Sequence, residues 1–327
     1  MGPGLLSLLT MRILIIGAAG MVGRKLSARL SHDGSLGGEA ISELALADVT
    51  GGPGIIEADL SQAGVAADLV ADRPDVIVDL AAVVSGEAEA NFEKGYRVNL
   101  DATRHLLEAI RLTGRGHVPR LVFSSSIAVF GPPVPDVIAD DHPTNPATSY
   151  GTQKAITELL LADYTRRGFV DGIGIRLPTI CVRPGAPNLA ASGFFSNIIR
   201  EPLHGRPAVL PVSAEVRHWF ASPRAAVGFL LRAATMDTGA LGLRRSLTMP
   251  GLSATVGDEI EALRRVAGDA AVALIRHEPD ATIARIVDGW PRAFDTRRAT
   301  GLGFVAERDF DEIVRVYVED EMGETLD

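Results

Sequence analysis

The sequence predicts an α/β fold, a doubly wound parallel sheet with a smaller mixed lobe set over it. Three observations predict it. A strand of the kind buried on both faces, Ile13 to Gly17, runs straight into Gly17, Gly20 and Gly23 and then into an amphipathic helix from Met21 to Leu30. Apolar strands and amphipathic helices alternate from residue 11 to about 176, the pattern of parallel strands joined by crossover helices. Residues 177–327 lose that rhythm to Gly- and Pro-broken segments, so they are expected to form mainly a substrate-binding lobe, interleaved with the sheet domain of residues 11–176.

Composition narrows the class. A chain of 327 residues, 46% of them apolar, can bury a substantial core. A net charge of −9 without a basic cluster argues against nucleic acid or an anionic membrane surface as partner. The one cysteine, Cys181, forms no intramolecular disulfide and fits a cytoplasmic protein. The first ten residues lack the basic start of a signal peptide, and with no apolar run of spanning length in the chain they read as a loose extension. The histidines, at 32, 105, 117, 142, 204, 218 and 277, are scattered, and no metal site is expected.

Each element of the sheet domain follows from local chemistry. A tight turn needs Gly17, close approach of backbone to a pyrophosphate needs Gly20, and close helix-on-strand packing needs Gly23; the helix N-terminus, with Met21 and Val22 in its first turn, offers free N–H groups to phosphate. The spacing is G-x-x-G-x-x-G, which a plain tight turn also allows. The second strand, Leu44 to Ala47, ends on Asp48, where a carboxylate accepts hydrogen bonds from an adenosine ribose. A short third strand, Ile55 to Asp59, aims Asp59 and Leu60 at the adenine edge. A helix through Asp68 to Ala71 leads to a fourth strand, Val76 to Leu80, and the small Ala81 and Ala82 beyond it admit a flat ring. Ser85 follows in the loop, touching cofactor or substrate or capping the next helix. A helix spans Asn99 to Leu112, and a fifth strand runs from Leu121 to Phe123 into Ser124, Ser125 and Ser126. The proline-rich PPVPDVIADDHPTNP is long enough to border an active site. The helix opening SYGTQK carries Tyr150 and Lys154 one turn apart on one face. Later helices are expected at Ala225 to Ala234, Val256 to Ala267 and Asp309 to Asp320.

Tyr150, Lys154 and Ser126 can together move a proton near neutral pH. Tyrosine, with a pKa of about 10, is a poor base alone, but a nearby ammonium and a cationic nicotinamide ring both favour its phenolate. Ser126 can orient the substrate oxygen, and Asn99 can hold a water that relays protons past Lys154. Only three lysines stand among the 32 basic residues, which makes one in register with a tyrosine conspicuous. The bland alternative is a surface lysine below a half-buried tyrosine.

The set GAAGMVG, Asp48, Asp59-Leu60, LAA, Asn99, SSSIAVFG and YGTQK resembles the extended short-chain dehydrogenase/reductase family, in order and from about Met11 to the end. The resemblance implies a Rossmann-type domain that holds NAD. It implies contacts to the cofactor from Gly17, Gly20, Met21, Val22, Gly23, Asp48, Asp59 and Leu60, then from Leu80, Ala81, Ala82, Ser85, Asn99, Leu177 and Thr179. It also implies Tyr150 as base, Lys154 on the nicotinamide ribose and Ser126 in support. Sugar-nucleotide members of the family follow the sixth strand with an asparagine, in R-x-x-N-x-x-G; here RLPTICVRPG has Thr179 at that place. With SGFFSNIIREPL, LPVSAEVRHWFASPRAAV and WPRAFDTRRATGLGF, this is similar to the D-erythronate dehydrogenase branch, which implies oxidation of a four-carbon sugar acid at C2 with NAD.

Three readings therefore stand side by side: an NAD-dependent dehydrogenase of a small sugar acid, a sugar-nucleotide epimerase or dehydratase that keeps its NAD, and a silent dinucleotide sensor. A sensor has no use for Ser126, Tyr150 and Lys154. A small hydroxy acid needs a cation for its carboxylate, and Arg183 and Arg217 are the candidates, together with Ser85, Ser126 and Tyr150 for substrate contact. The same arginines could hold a diphosphate. The apolar sides of the 99–112 and 150–167 helices are expected to pair in a homodimer, as in this family.

Overall fold

The computed structural model describes residues 10–114, 116–185 and 192–323, so the expected N-terminal extension lies, but for Thr10, outside the described residues. The hub is β1 (Thr10–Ile16), whose residues Ile13 to Ile16 are at most 1% exposed because helices cover both faces of the sheet. α1 (Met21–Asp33) ends at Gly34, which takes the left-handed conformation that glycine permits. β2 (Ser35–Leu36) and β3 (Glu39–Asp48) follow, then β4 (Ile56–Glu57), α2 (Val65–Val70) and β5 (Val76–Asp79). Two short helices, α3 (Ser85–Ala90) and α4 (Phe92–Tyr96), lead through a π turn (Arg97–Asp101) into α5 (Ala102–Leu112); β6 (Arg120–Ser126), α6 (Ser149–Arg166) and β7 (Asp171–Leu177) complete the first pass.

The second pass weaves between lobe and sheet. It comprises β8 (Thr179–Ile180), α7 (Gly193–Leu203), β9 (Ala208–Leu210), β10 (Arg217–Ala221), α8 (Pro223–Thr235), β11 (Ser246–Thr248), β12 (Leu252–Thr255), α9 (Val256–Ala267) and β13 (Ile275–His277), and it ends on a helix at Phe310–Tyr317. The central sheet has the order β11-β7-β6-β5-β1-β3-β2, with β4 beside β3, and only β2 runs antiparallel to its neighbour. From β1 the chain first goes out to β3 and then returns to β5 on the opposite side, so the crossover direction reverses between β1 and β5. That reversal opens a crevice at the carboxyl ends of these strands, where open α/β sheets bind ligands. The core on one sheet face joins Ile13 and Ile15 to Ala226, Phe229 and Leu230 of α8, so residues beyond 177 pack back on the sheet. The lobe has its own core, in which Cys181, Phe195, Phe220 and Leu263 meet.

Several expectations change. The third strand shrinks to two residues, and Asn99 lies inside a π turn, not at the start of a helix. The helix expected over 309–320 ends at Tyr317 and continues as a second π turn, Val318–Met322. The lobe carries two small sheets, β12-β10-β8 and β13-β9, which the broken pattern of that region concealed.

Candidate active site

The glycine turn is packed closely on its inner side and open on its outer side. Gly17 has φ +83°, and a Cβ there would lie 2.8 Å from both the Leu80 carbonyl carbon and the Ala81 nitrogen, so only glycine lets the turn press against the end of β5. A Cβ on Gly23 would stand 2.2 Å from the Gly17 oxygen, which fixes the close seating of α1. At Gly20 a Cβ would meet only that same oxygen, at 3.2 Å, leaving the outer side of the turn open. α1 starts without a side-chain cap and without an acidic residue in its first turn, with Met21 and Val22 half-buried there. Its N–H groups and dipole are therefore offered to an anion in the crevice, which fits the pyrophosphate of NAD.

Asp48 closes the other side. Its Oδ2 accepts the Ala19 N–H at 3.0 Å and its Oδ1 the Thr50 N–H at 2.9 Å, which fixes a carboxylate beside the turn where a ribose would lie. Asp59 accepts from the Ser61 N–H at 2.9 Å and shapes its own turn. Leu60 is 5% exposed and packs in the core, so its side chain serves the fold more than the adenine edge that the sequence suggests. Leu80, Ala81 and Ser85 are half-buried along the crevice, and Ala82 is exposed. Ser85 is the first residue of α3, whose cap position belongs to Val84, so the capping alternative falls away.

The proton-moving set assembles on α6. Thr148 caps the helix by accepting the Gly151 N–H at 3.1 Å. A Cβ on Gly151 would come 2.1 Å from the Ala128 oxygen, so the bare glycine brings the first turn of α6 against the residues that follow β6. Tyr150 is thereby hydrogen-bonded to Ser126, whose Oγ also accepts the Ala128 N–H at 3.1 Å. Burial pushes the phenol up, while Ser126 and the charge of Arg183 pull it back. Lys154 is 1% exposed; its Nζ donates to the Ser124 carbonyl at 2.7 Å and lies 5.7 Å from the Tyr150 ring centre. Burial pulls Lys154 down to about 8 against the opposing charges of Asp79 and Glu158. One turn further along, Glu158 accepts Ser125 Oγ at 2.5 Å and a two-pronged contact from Arg176, which pins α6 to β6 and β7.

Asn99 is buried within the π turn. Its Oδ1 accepts the Val83 N–H at 2.9 Å, and its Nδ2 donates to Gln153 Oε1 at 2.8 Å and to the Val83 carbonyl at 3.2 Å. The side chain thus ties the loop after β5 to α6 and has both its amide hydrogens committed.

On the lobe side, the Arg183 side chain is anchored by Nε to the Ile180 carbonyl at 2.9 Å and by Nη2 to Ser192 Oγ at 2.9 Å. Its guanidinium is close enough to Tyr150 and His218 to act on the ionisation of both. Leu177 ends β7, half-buried, and Thr179 Oγ1 lies 2.7 Å from His218 Nε2. The scatter of histidines along the chain gives no hint of that pair, because it depends on the register between β8 and β10. Arg217 differs from Arg183: it is exposed, donates to the Ser253 carbonyl at 3.0 Å and sits beside Asp258, at the first position of β10.

Comparison with known proteins agrees with this geometry. The chain is 48% identical over 321 residues to a D-erythronate dehydrogenase of Cupriavidus necator, covering 95% of this chain and 98% of that one. It is 39% identical over 320 residues to a D-erythronate dehydrogenase of Haemophilus influenzae, covering 95% and 100%. A solved structure described as a nucleoside-diphosphate-sugar epimerase from Agrobacterium tumefaciens superimposes with a TM-score of 0.95 at 59% identity, over 100% of this chain and 99% of the other. A family model for the NAD dependent epimerase/dehydratase family matches residues 13–239. With its glycine turn, its Ser-Tyr-Lys set and full-length relatives of this kind, the chain belongs to the NAD dependent epimerase/dehydratase family.

Proposed function

We propose that this protein is an NAD-dependent dehydrogenase that oxidises the C2 hydroxyl of a small sugar acid, D-erythronate or a close analogue, to the 2-oxo acid. The observation that carries the reading is Arg183, a half-buried guanidinium, held by Ile180 and Ser192, whose charge acts on the base Tyr150 itself. A cation so placed suits an anion bonded to the reacting carbon, as in a 2-hydroxy acid. In a sugar nucleotide the diphosphate lies across the ring from the carbon that reacts, and its cation belongs further from the base. The two D-erythronate dehydrogenases named above match the lobe as well as the sheet domain, which supports the same choice.

Gly17, Gly20, Gly23 and Asp48 would hold NAD, which when bound accepts the hydride from C2. Arg183 pairs the substrate carboxylate, because a buried charge left unpaired costs several kcal/mol, of order ~3–5. Ser126, already bonded to Tyr150, orients the C2 hydroxyl. Tyr150, as phenolate, takes the hydroxyl proton; the C2–H electron pair leaves as hydride and the C2–O bond becomes a carbonyl. Lys154, on the same face of α6, is placed to hold the nicotinamide ribose and to keep positive charge near the phenolate. Asn99 keeps the loop after β5 in place through Val83.

We further propose a homodimer through α5 and α6, on which Leu112 and Leu159 are 69% and 71% exposed, working in the cytoplasm. Among the described residues, no helix is long and apolar enough to cross a membrane. The test is to incubate the protein with NAD and either four- to six-carbon aldonates or UDP-sugars while following NADH absorbance. NADH with D-erythronate supports the dehydrogenase; UDP-sugar interconversion without net NADH replaces it with the epimerase.

A further inference from the structure

Thr179 and His218 form a hydrogen-bonded pair beside Arg183 that the steps above leave unused. Sheet register builds it. β8 and β10 run parallel with Thr179 opposite Phe220, and His218, two residues earlier on the same face of β10, reaches Thr179 Oγ1 with Nε2 at 2.7 Å. The ring cannot turn away: Phe195 stacks on it at 5.4 Å with an interplanar angle of 6°, and Trp290 stands 5.0 Å off.

The proton positions follow from the partners. His218 Nδ1 lies 3.0 Å from the Pro291 carbonyl oxygen, and a carbonyl oxygen only accepts, so Nδ1 carries the hydrogen. His218 is 3% exposed; burial, with Arg183 adding to it and the Pro291 bond opposing, pulls the ring down to about 4. At neutral pH Nε2 is therefore a bare lone pair. Thr179 must give its single hydroxyl proton to it, and what remains on Oγ1 is acceptor capacity alone. Thr179 is half-buried where His218 is buried. Arg183 ties this side to the catalytic centre, since its Nε donates to the carbonyl of Ile180, the next residue, and its charge reaches Tyr150.

Resting on the sugar-acid reading, we propose that Thr179 is a specificity residue that accepts a hydrogen bond from the C3 hydroxyl of the substrate, and that His218 is the positioning residue that locks it as an acceptor. A carboxylate on Arg183 and a C2 hydroxyl on Tyr150 leave the rest of a four-carbon polyhydroxy acid to be recognised, and its hydroxyls are donors. A site built to bond a hydroxyl rejects an analogue that lacks it more strongly than an apolar wall could reject an added one, because the acceptor is then left unpaired.

The test compares kcat/KM for D-erythronate with that for 2,4-dihydroxybutanoate of the same C2 configuration, which lacks only the C3 hydroxyl, in the wild type, Thr179→Val, Thr179→Ser and His218→Phe. The wild type should favour D-erythronate. Thr179→Val should cut kcat/KM for D-erythronate about 10- to 100-fold while changing that for 2,4-dihydroxybutanoate less than about threefold. Thr179→Ser should keep the preference. His218→Phe, which retains the stacked ring, should shift the preference in the same direction as Thr179→Val, with melting temperature read alongside; the Thr179 variants decide the matter if it does not fold. Equal losses on both acids, or a rise confined to KM for NAD, which would assign the hydroxyl to the nicotinamide carboxamide, overturn the proposal. A wild type that oxidises neither acid removes the sugar-acid reading and this proposal with it; one that oxidises D-erythronate but is indifferent to Thr179 removes this proposal alone.

Discussion

Replacing Glu259 by methionine should stabilise the protein, and by more as the pH rises. Glu259 lies in the first turn of α9, is 0% exposed, and has no partner for either carboxyl oxygen among the described residues. Burial, with Asp258 adding to it, pushes the carboxyl well above its usual range, so the folded protein keeps it as a neutral acid. Two contributions add. An unpaired buried polar group costs about 1–3 kcal/mol, which a methionine of similar volume removes. The second is proton linkage. Because the folded pKa is raised, the group's stability is fully present below the unfolded value of about 4.3 and is lost as pH rises above it, by up to ~1.4 kcal/mol per unit until the folded carboxyl ionises. Between pH 5 and pH 7 the advantage of Glu259→Met should therefore grow by up to about 2.7 kcal/mol. At about 2 °C per kcal/mol for a chain of this size, that is about 2–6 °C in melting temperature at pH 5 and up to about 5 °C more at pH 7. Thermal unfolding by circular dichroism at pH 5, 6 and 7 reads this directly. A melting-temperature difference that is zero, or that does not change with pH, refutes the reasoning.

Three further predictions concern the site. Tyr150→Phe should lower turnover about 10²- to 10⁴-fold while NAD binding, followed by calorimetry, stays nearly intact; a loss under tenfold shows that another group is the base. Arg183→Ala should raise KM for the aldonate at least about 30-fold, as expected from the ~2 kcal/mol or more that follows loss of one partner of a buried charge pair. Arg217→Ala, on the exposed end of β10, should change that KM less than about threefold, and initial-rate kinetics on the two variants separate one arginine from a clamp. Asp48 should disfavour NADP by a like-charge contact of roughly 1–4 kcal/mol, so Asp48→Asn should narrow the NAD-to-NADP ratio of kcat/KM at least about fivefold; an unchanged ratio contradicts it.

What the sequence revealed was whatever local chemistry fixes. The run from Ile13 into Gly17, Gly20 and Gly23 demanded a buried strand, a tight turn and a closely seated helix, and Gly17 and Gly23 have a steric reason in the structure. Tyr150 and Lys154 were legible as a pair because helical spacing is set by the chain itself. What depends on distant register was hidden. Nothing near Thr179 in sequence announces His218, and Arg217 looked like Arg183 until strand β10 placed the first at an exposed end. The partners of Asn99, Val83 and Gln153, were hidden in the same way, because they lie 16 and 54 residues away. Likewise, the charge of Arg183, which reaches Tyr150 from the other lobe in addition to Lys154 on the same helix, has no sign in the sequence near Tyr150.

The account stands or falls on which carbon gives up hydride beside Tyr150. D-erythronate carrying deuterium at C2 should be incubated with NAD and the protein, and the nucleotide product examined by mass spectrometry. Recovery of one deuterium in the reduced cofactor for each 2-oxo acid formed, with a corresponding loss of label from the sugar acid, is the predicted result. Unlabelled NADH would place the oxidation at another carbon. No reduced cofactor, alongside interconversion of a UDP-sugar under the same conditions, would contradict the central claim.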